Sequence, residues 1–139
     1  MNLEANKAVS RRMLELWAAH NTDDPHEIIA EDYVNRQEPA MPDGSHILGR
    51  EAWLALVKSN HTAFPDCRVE ILMQIAEGHA VATRWRFNGT NTGPYLGHAP
   101  TGIHVTWTGI EIDLFRYEHI VESWVDWDRH HQLKMLGHI

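Results

Sequence analysis

Glu111 and Asp113 are the residues whose placement most directly invites chemistry. They stand two apart in Trp107-Thr108-Gly109-Ile110-Glu111-Ile112-Asp113-Leu114-Phe115, a largely apolar stretch. In a strand, alternate residues share a face. Both acids therefore lie with Trp107, Gly109 and Phe115, while Thr108, Ile110, Ile112 and Leu114 take the other side. If the Trp107 face is interior, burial raises the pKa of a carboxyl, and a neighbouring carboxyl raises one of the pair further. Such a group suits general acid or base work near neutral pH. If that face is exterior, both acids are solvated or pair with Arg84 and Arg86.

Asp126 and Asp128 form a second acidic pair, in Trp124-Val125-Asp126-Trp127-Asp128. Asp128 sits at a strand-to-helix junction and suits a helix N-cap. Asp126 is the alternate catalytic acid. His20 and His61 fall on apolar helix stripes and could complete an acid–histidine pair, since imidazole titrates nearest neutrality. Trp17, Trp53, Trp85 and Trp107 all fall on predicted interior faces. With Val57 they would wall a pocket for a flat, apolar ligand. Asn35 and Tyr33 would add polar contacts at its mouth, and Ser123 and Val125 share one face of the last strand.

No metal site is expected. The chain has 11 His but no H-x-H or H-E-x-x-H spacing, and His130-His131 point different ways on a helix. The other histidines, 26, 46, 79, 98, 104, 119 and 138, fall mostly in turns and strand ends. Cys67 lacks a nucleophile's surroundings, and there is no G-x-x-x-x-G-K loop. No cofactor is implied.

Positioning these groups falls to helices first and strands afterwards. Val9, Met13, Leu16, Trp17 and His20 recur at helical spacing. Asp24-Pro25 reads as N-cap and first residue of a short helix to about Ala30. Residues 33–37 read as a short strand and 38–49 as a loop. A helix over 51–63 presents Trp53, Leu56, Val57, Asn60 and His61 before Phe64-Pro65 stops it. Four segments with a two-residue period follow, over 69–76, 81–88, 103–116 and 119–127. A helix over 129–136 ends at Gly137. This order predicts an α+β domain with an antiparallel meander. The helices cover only one sheet face, so Ile110, Ile112, Leu114 and Trp124 on the other predict a homodimer interface.

The chain is one domain's length, 139 residues, with 43% hydrophobic and 22% charged residues. A net charge of −7 without a basic run argues against nucleic acid or anionic membrane as partner. One cysteine forms no internal disulfide, and no apolar run approaches a membrane span. The first residues lack an apolar signal core, so a cytoplasmic location is expected.

Gly89-Thr90-Asn91-Thr92-Gly93-Pro94-Tyr95-Leu96-Gly97-His98-Ala99-Pro100-Thr101-Gly102 resembles the G-T-x-T-G-x-x-x-G-x-x-P-T-G loop of the SnoaL-like polyketide cyclases, in the nuclear transport factor 2-like superfamily. Phe64-Pro65-Asp66, Ile120-Val121-Glu122-Ser123-Trp124 and Leu133-Lys134-Met135-Leu136-Gly137 carry the same resemblance over nearly the whole chain (1–139 as a single domain). It implies a cone: a curved sheet wrapped around the N-terminal helices, enclosing one pocket. Relatives include cofactor-free aldol cyclases, isomerases, dehydratases, epoxide hydrolases and non-catalytic binding proteins, many of them dimers. In the cyclases an aspartate on the last strand moves the proton. Alignment on Ile120-Val121-Glu122 puts that position at Val125, which cannot. Three readings follow: a cofactor-independent cyclase or isomerase with Glu111 as base, a binder of a small apolar molecule, or a scaffold with a filled cone.

Overall fold

The computed structural model describes residues 2–38 and 46–139, with the Glu38 side chain left out. Most of the predicted 38–49 loop lies outside the described residues. The elements run α1 (Leu3–Glu15), a 3₁₀ turn (Pro25–Glu27), β1 (Ile29–Glu38), β2 (Ile47–Leu48), α2 (Arg50–Ala63), β3 (Arg68–Glu77), β4 (Ala80–Thr90), β5 (His104–Arg116), β6 (His119–Trp127) and α3 (Arg129–Met135).

Capping fixes several of these boundaries. The Asn2 side chain accepts from Ala5 N to start α1. Asp128 accepts from His131 N at 3.0 Å and starts α3. Asp24 accepts from His26 N, but only one 3₁₀ turn follows, not a helix to Ala30. Ile28, Ile29 and Ala30 are instead drawn into the core and the sheet. β1 is thus twice the length of the strand expected over 33–37.

The six strands form one curved, unclosed sheet in the order β2-β1-β6-β5-β4-β3. β3 to β6 are the expected antiparallel meander. β1 adds to it in parallel, with Asn35 opposite Ser123 and Gln37 opposite Val125. The N-terminal strand therefore borders the last one, which no local pattern announces. Two register shifts matter. One between Ile71 and Met73 breaks the period of β3, so Met73 and Ile75 face solvent while Gln74 turns in. There Gln74 Nε2 donates to Lys7 O and Thr83 Oγ1. The other, between Leu114 and Phe115, brings Ile120 into the core in place of Val121.

α1 and α2 fill the concave face, giving the α+β cone. One core cluster joins Met13, Leu16, Tyr33, Trp53, Val57 and Phe115; a second joins Leu14, Phe64, Trp85, Phe87, Trp107 and Val125. On the convex face Ile110, Ile112 and Trp124 are exposed, and Leu114 is half-buried. A second copy would have to pack there to make the expected dimer.

The loop after β4 flanks the wide end. Asn91 is its hub. Its Nδ2 donates to Ala63 O and Gly93 O, and its Oδ1 accepts from the Thr101 N and Oγ1. All four amide valences are filled, so one buried side chain ties the loop to α2 and to itself. Tyr95 reaches across and donates to Gln132 Oε1 at 2.7 Å, linking loop and α3.

Candidate active site

A cavity of about 310 Å³ opens at the wide end of the cone. Trp17, Trp85, Phe87 and Trp107 form an aromatic wall, joined by Leu14. Trp85 stacks on Phe87 at 4.3 Å, and Phe87 meets Trp107 edge-on at 5.9 Å. Asn35, Gln37, Glu111 and Trp127, from the adjacent strands β1, β6 and β5, bring polar groups to the lining. Leu56, Ser59 and Asn60 of α2, Tyr95 and Leu96 of the loop, and Arg129, Gln132 and Leu133 of α3 complete the lining. A largely apolar concavity with a few convergent polar groups is the usual form of a small-molecule site.

Glu111 is 4% exposed and lines the cavity; Asp113, at 0%, lies behind it. The interior face of β5 is the Trp107 face, so both acids point into the cone. Burial pushes the Glu111 carboxyl well above the usual range, and the Asp113 charge and hydrogen bond push it further. Burial also raises Asp113, but Glu111, Ser123 and the nearby Ser10 hydroxyl oppose the shift. The Ser123 hydroxyl donates to Asp113 Oδ1 at 2.6 Å. Glu111 Oε2 and Asp113 Oδ2 meet no donor from the rest of the chain. The neighbouring Asp113 adds to the effect of burial on Glu111, because two like charges side by side do not both form cheaply.

Trp17, Asn35, Trp85, Trp107 and Val125 reach the same cavity. Trp53 and Val57 do not: both are buried in the core beneath it, where Trp53 meets Trp17 edge-on at 5.7 Å. Ser123 lies behind the wall on Asp113. α1 ends at Glu15, so the helical stripe that carried His20 stops short and His20 is exposed, in a groove with Glu15, Asp66 and Arg68. His61 is held by a hydrogen bond between its Nε2 and the Leu16 carbonyl, at 2.9 Å, which ties α2 to the end of α1. Asp126 is exposed on the convex side, beside Arg84, Thr108 and Ile110. No bulge brings it inward, since β5 and β6 stay in register from Gly109–Trp127 to Leu114–Glu122.

Sequence reasoning passed over Gln37, Trp127 and the α3 residues. Arg129, Gln132 and Leu133 stand at helical i, i+3 and i+4 spacing, a signal that was available. The role of Gln37 was not, because it depends on the parallel pairing of β1 with β6. Among the described residues no cluster of three His, Cys, Asp or Glu could hold a metal. Burial pushes the Cys67 thiol up to about 11, away from the thiolate that a nucleophile needs. No helix among the described residues is long and apolar enough to cross a membrane.

Known proteins bear on this geometry in two ways. The SnoaL-like polyketide cyclase family model matches residues 7–136. Among solved structures, AclR from Streptomyces galilaeus, named as a candidate hydroxylase, is similar at 25% identity and a TM-score of 0.84, over 99% of this chain and 84% of its own. IdmH from Streptomyces antibioticus, a candidate polyketide cyclase, is similar at 26% identity and a TM-score of 0.80, over 95% and 98%. TsrD from Streptomyces laurentii shares the fold at 18% identity and a TM-score of 0.85, over 100% and 99%. No curated protein matches the chain significantly. The family match runs from α1 through α3 and so takes in every element that builds the cavity: the chain belongs to the SnoaL-like polyketide cyclases.

Proposed function

We propose that this chain is a cofactor-independent enzyme that moves a proton at a carbon next to a carbonyl, in an apolar small molecule of the size its cavity admits. The observation that carries this reading is the Glu111–Asp113 pair: two buried acids with unfilled valences at the wall of an aromatic cavity. A raised pKa makes ionised Glu111 a stronger base than an ordinary carboxylate. It takes the α-proton: the C–H bond breaks, the Glu111 O–H bond forms, and the electron pair moves onto the carbonyl oxygen as an enolate. Returning the proton to another carbon isomerises the substrate. Returning it to the oxygen of a second carbonyl, after the enolate carbon has attacked that carbonyl, closes a ring. Asp113 shares the proton in between, and the aromatic wall holds the ligand flat and excludes water.

A second reading is binding without turnover. Its support is Val125, which lines the cavity where the family resemblance expects the acid. The two separate in deuterium exchange at the α-carbons of 2-tetralone, an apolar bicyclic ketone, followed by NMR in D₂O. An enzyme accelerates the exchange, E111Q loses about 10²–10⁴-fold of that acceleration, and D126N keeps it. No acceleration over buffer decides for the binder; equal acceleration by E111Q rejects Glu111 as the base.

A further inference from the structure

Gln37 stands in the same row of the sheet as Glu111. Register sets Gln37 opposite Val125 across β1 and β6, and Val125 opposite Glu111 across β6 and β5. All three residues line the cavity. Neighbouring strands lie about 4.8 Å apart, so the backbones at 37 and 111 are separated by roughly 10 Å. Two long polar side chains thus flank a short apolar one. A planar ketone seated over Val125 meets the carboxyl at one edge and the carboxamide at the other.

The carboxamide has its orientation fixed from outside that row. An indole N–H can only donate. Trp127 Nε1 donates to Gln37 at 3.0 Å, so the atom that receives it is the amide oxygen. The amide nitrogen is thereby turned to Asn35, whose Oδ1 accepts from it. Asn35 Nδ2 donates in turn to the Tyr33 hydroxyl oxygen at 2.7 Å, which keeps the Asn35 oxygen on Gln37. A carboxamide nitrogen carries two protons. Asn35 takes one, and no other described residue accepts from Gln37 Nε2. Gln37 is only 8% exposed, so the second proton is a donor held in a mainly apolar enclosure.

We propose that Gln37 is the electrophilic residue of the site: its second amide proton binds the carbonyl oxygen of the substrate, across Val125 from Glu111, and stabilises the enolate. The inference rests on reading Glu111 as the base. When Glu111 takes the α-proton, the C–H electron pair moves onto the carbonyl oxygen. The Gln37 N–H donates to that oxygen throughout and gives up no proton. Its hydrogen bond strengthens as charge develops there, which lowers the barrier more than it tightens ground-state binding. The same donor selects the substrate. The group that faces Gln37 must be an acceptor, such as a ketone or ester oxygen, and an ammonium group in that place would leave the N–H unmatched.

The test uses the full chain and two probes. Exchange at the α-carbons of 2-tetralone reports the reaction, and 2-naphthol copies the ring and oxygen of that ketone's enol. Gln37→Met keeps the side chain's length and removes the N–H. Exchange at saturating 2-tetralone should fall by about 10²–10³-fold, while affinity for the ketone changes less than about tenfold. The acid constant of bound 2-naphthol should fall by about tenfold to a hundredfold, the worth of a hydrogen bond to a charged oxygen. A measurement on the wild type does not depend on how that variant folds: proton–nitrogen NMR of the Gln37 side-chain amide. Saturating 2-naphthol should move one of the two amide protons downfield and leave the one on Asn35 nearly in place. Two unmoved protons overturn the proposal, as does a Q37M exchange rate equal to the wild type's or a loss confined to affinity. A Gln37 proton moved by 2-naphthol, with exchange independent of Glu111, keeps Gln37 as the oxygen-binding donor and rejects Glu111 as the base.

Discussion

Glu111 and Val125 are register partners across β5 and β6. Directly opposite residues on one face of an antiparallel pair hold their Cβ atoms about 4.5–5.5 Å apart. The family resemblance expects its acid at position 125, and here the carboxylate stands one strand over, on a side chain one methylene longer than aspartate. Asp113 next to it is bonded to Ser123, which is its own register partner. The acid site is thus built across two strands.

A reciprocal exchange tests that relationship. E111V should abolish 2-tetralone exchange. Adding V125D to it should restore activity to within about tenfold of the wild type, since the carboxylate returns to the same wall from the facing strand. V125D alone should destabilise the fold by several kcal/mol, because it buries a third carboxyl beside two others. A double variant as dead as E111V would show that position 111 matters for more than supplying an acid.

Glu111 should cost stability as pH rises. Its folded pKa lies above the ordinary value of 4.5, because burial disfavours the charge. The folded state therefore binds more protons than the unfolded state between those two values, and stability declines with pH across that window. E111Q removes the decline. Its advantage in chemical denaturation should be small near the ordinary carboxylate value and grow as pH rises through the folded pKa. Asp23 and Asp66 act in the opposite sense. The Arg12 hydrogen bond holds Asp23 low, and the Thr90 backbone N–H holds Asp66 low, so their contributions are lost below the ordinary range. A pH-independent difference between E111Q and wild type would mean that Glu111 titrates as an ordinary surface acid.

Gly109 gives Trp85 its place. A Cβ at 109 would lie 2.3 and 2.7 Å from two atoms of the Trp85 ring and 2.8 Å from Asp126 O. The rigid ring and the backbone leave no flexible end to move aside. Gly109→Ala should cost about 1–3 kcal/mol as overpacking. It should also shift the ring off Phe87, changing near-ultraviolet circular dichroism and weakening 2-tetralone binding. Unchanged aromatic dichroism would mean that the strands part at 109 and leave the cavity wall intact.

Much of this molecule was legible from its residues in order. The alternation of β4 and β5 placed Trp85, Trp107, Glu111 and Asp113 on one face, because a strand's period of two is a local property. Asp128 as the α3 cap was equally local. The sequence could not say whether that face was the inside of the cone. It also could not show that α1 stops before His20, since helical spacing continues past the point where the chain turns.

Only the tertiary structure decided what surrounds the acids. The parallel pairing of β1 with β6 joins residues 86 or more positions apart, from Arg36–Glu122 to the Trp127–Gln37 bond. No local pattern encodes such a pairing; it results from curving the sheet around the two helices. Composition and periodicity determined that two carboxyls would share a strand face. The fold made them unequal, because Ser123 donates to Asp113, whereas Glu111 faces the cavity.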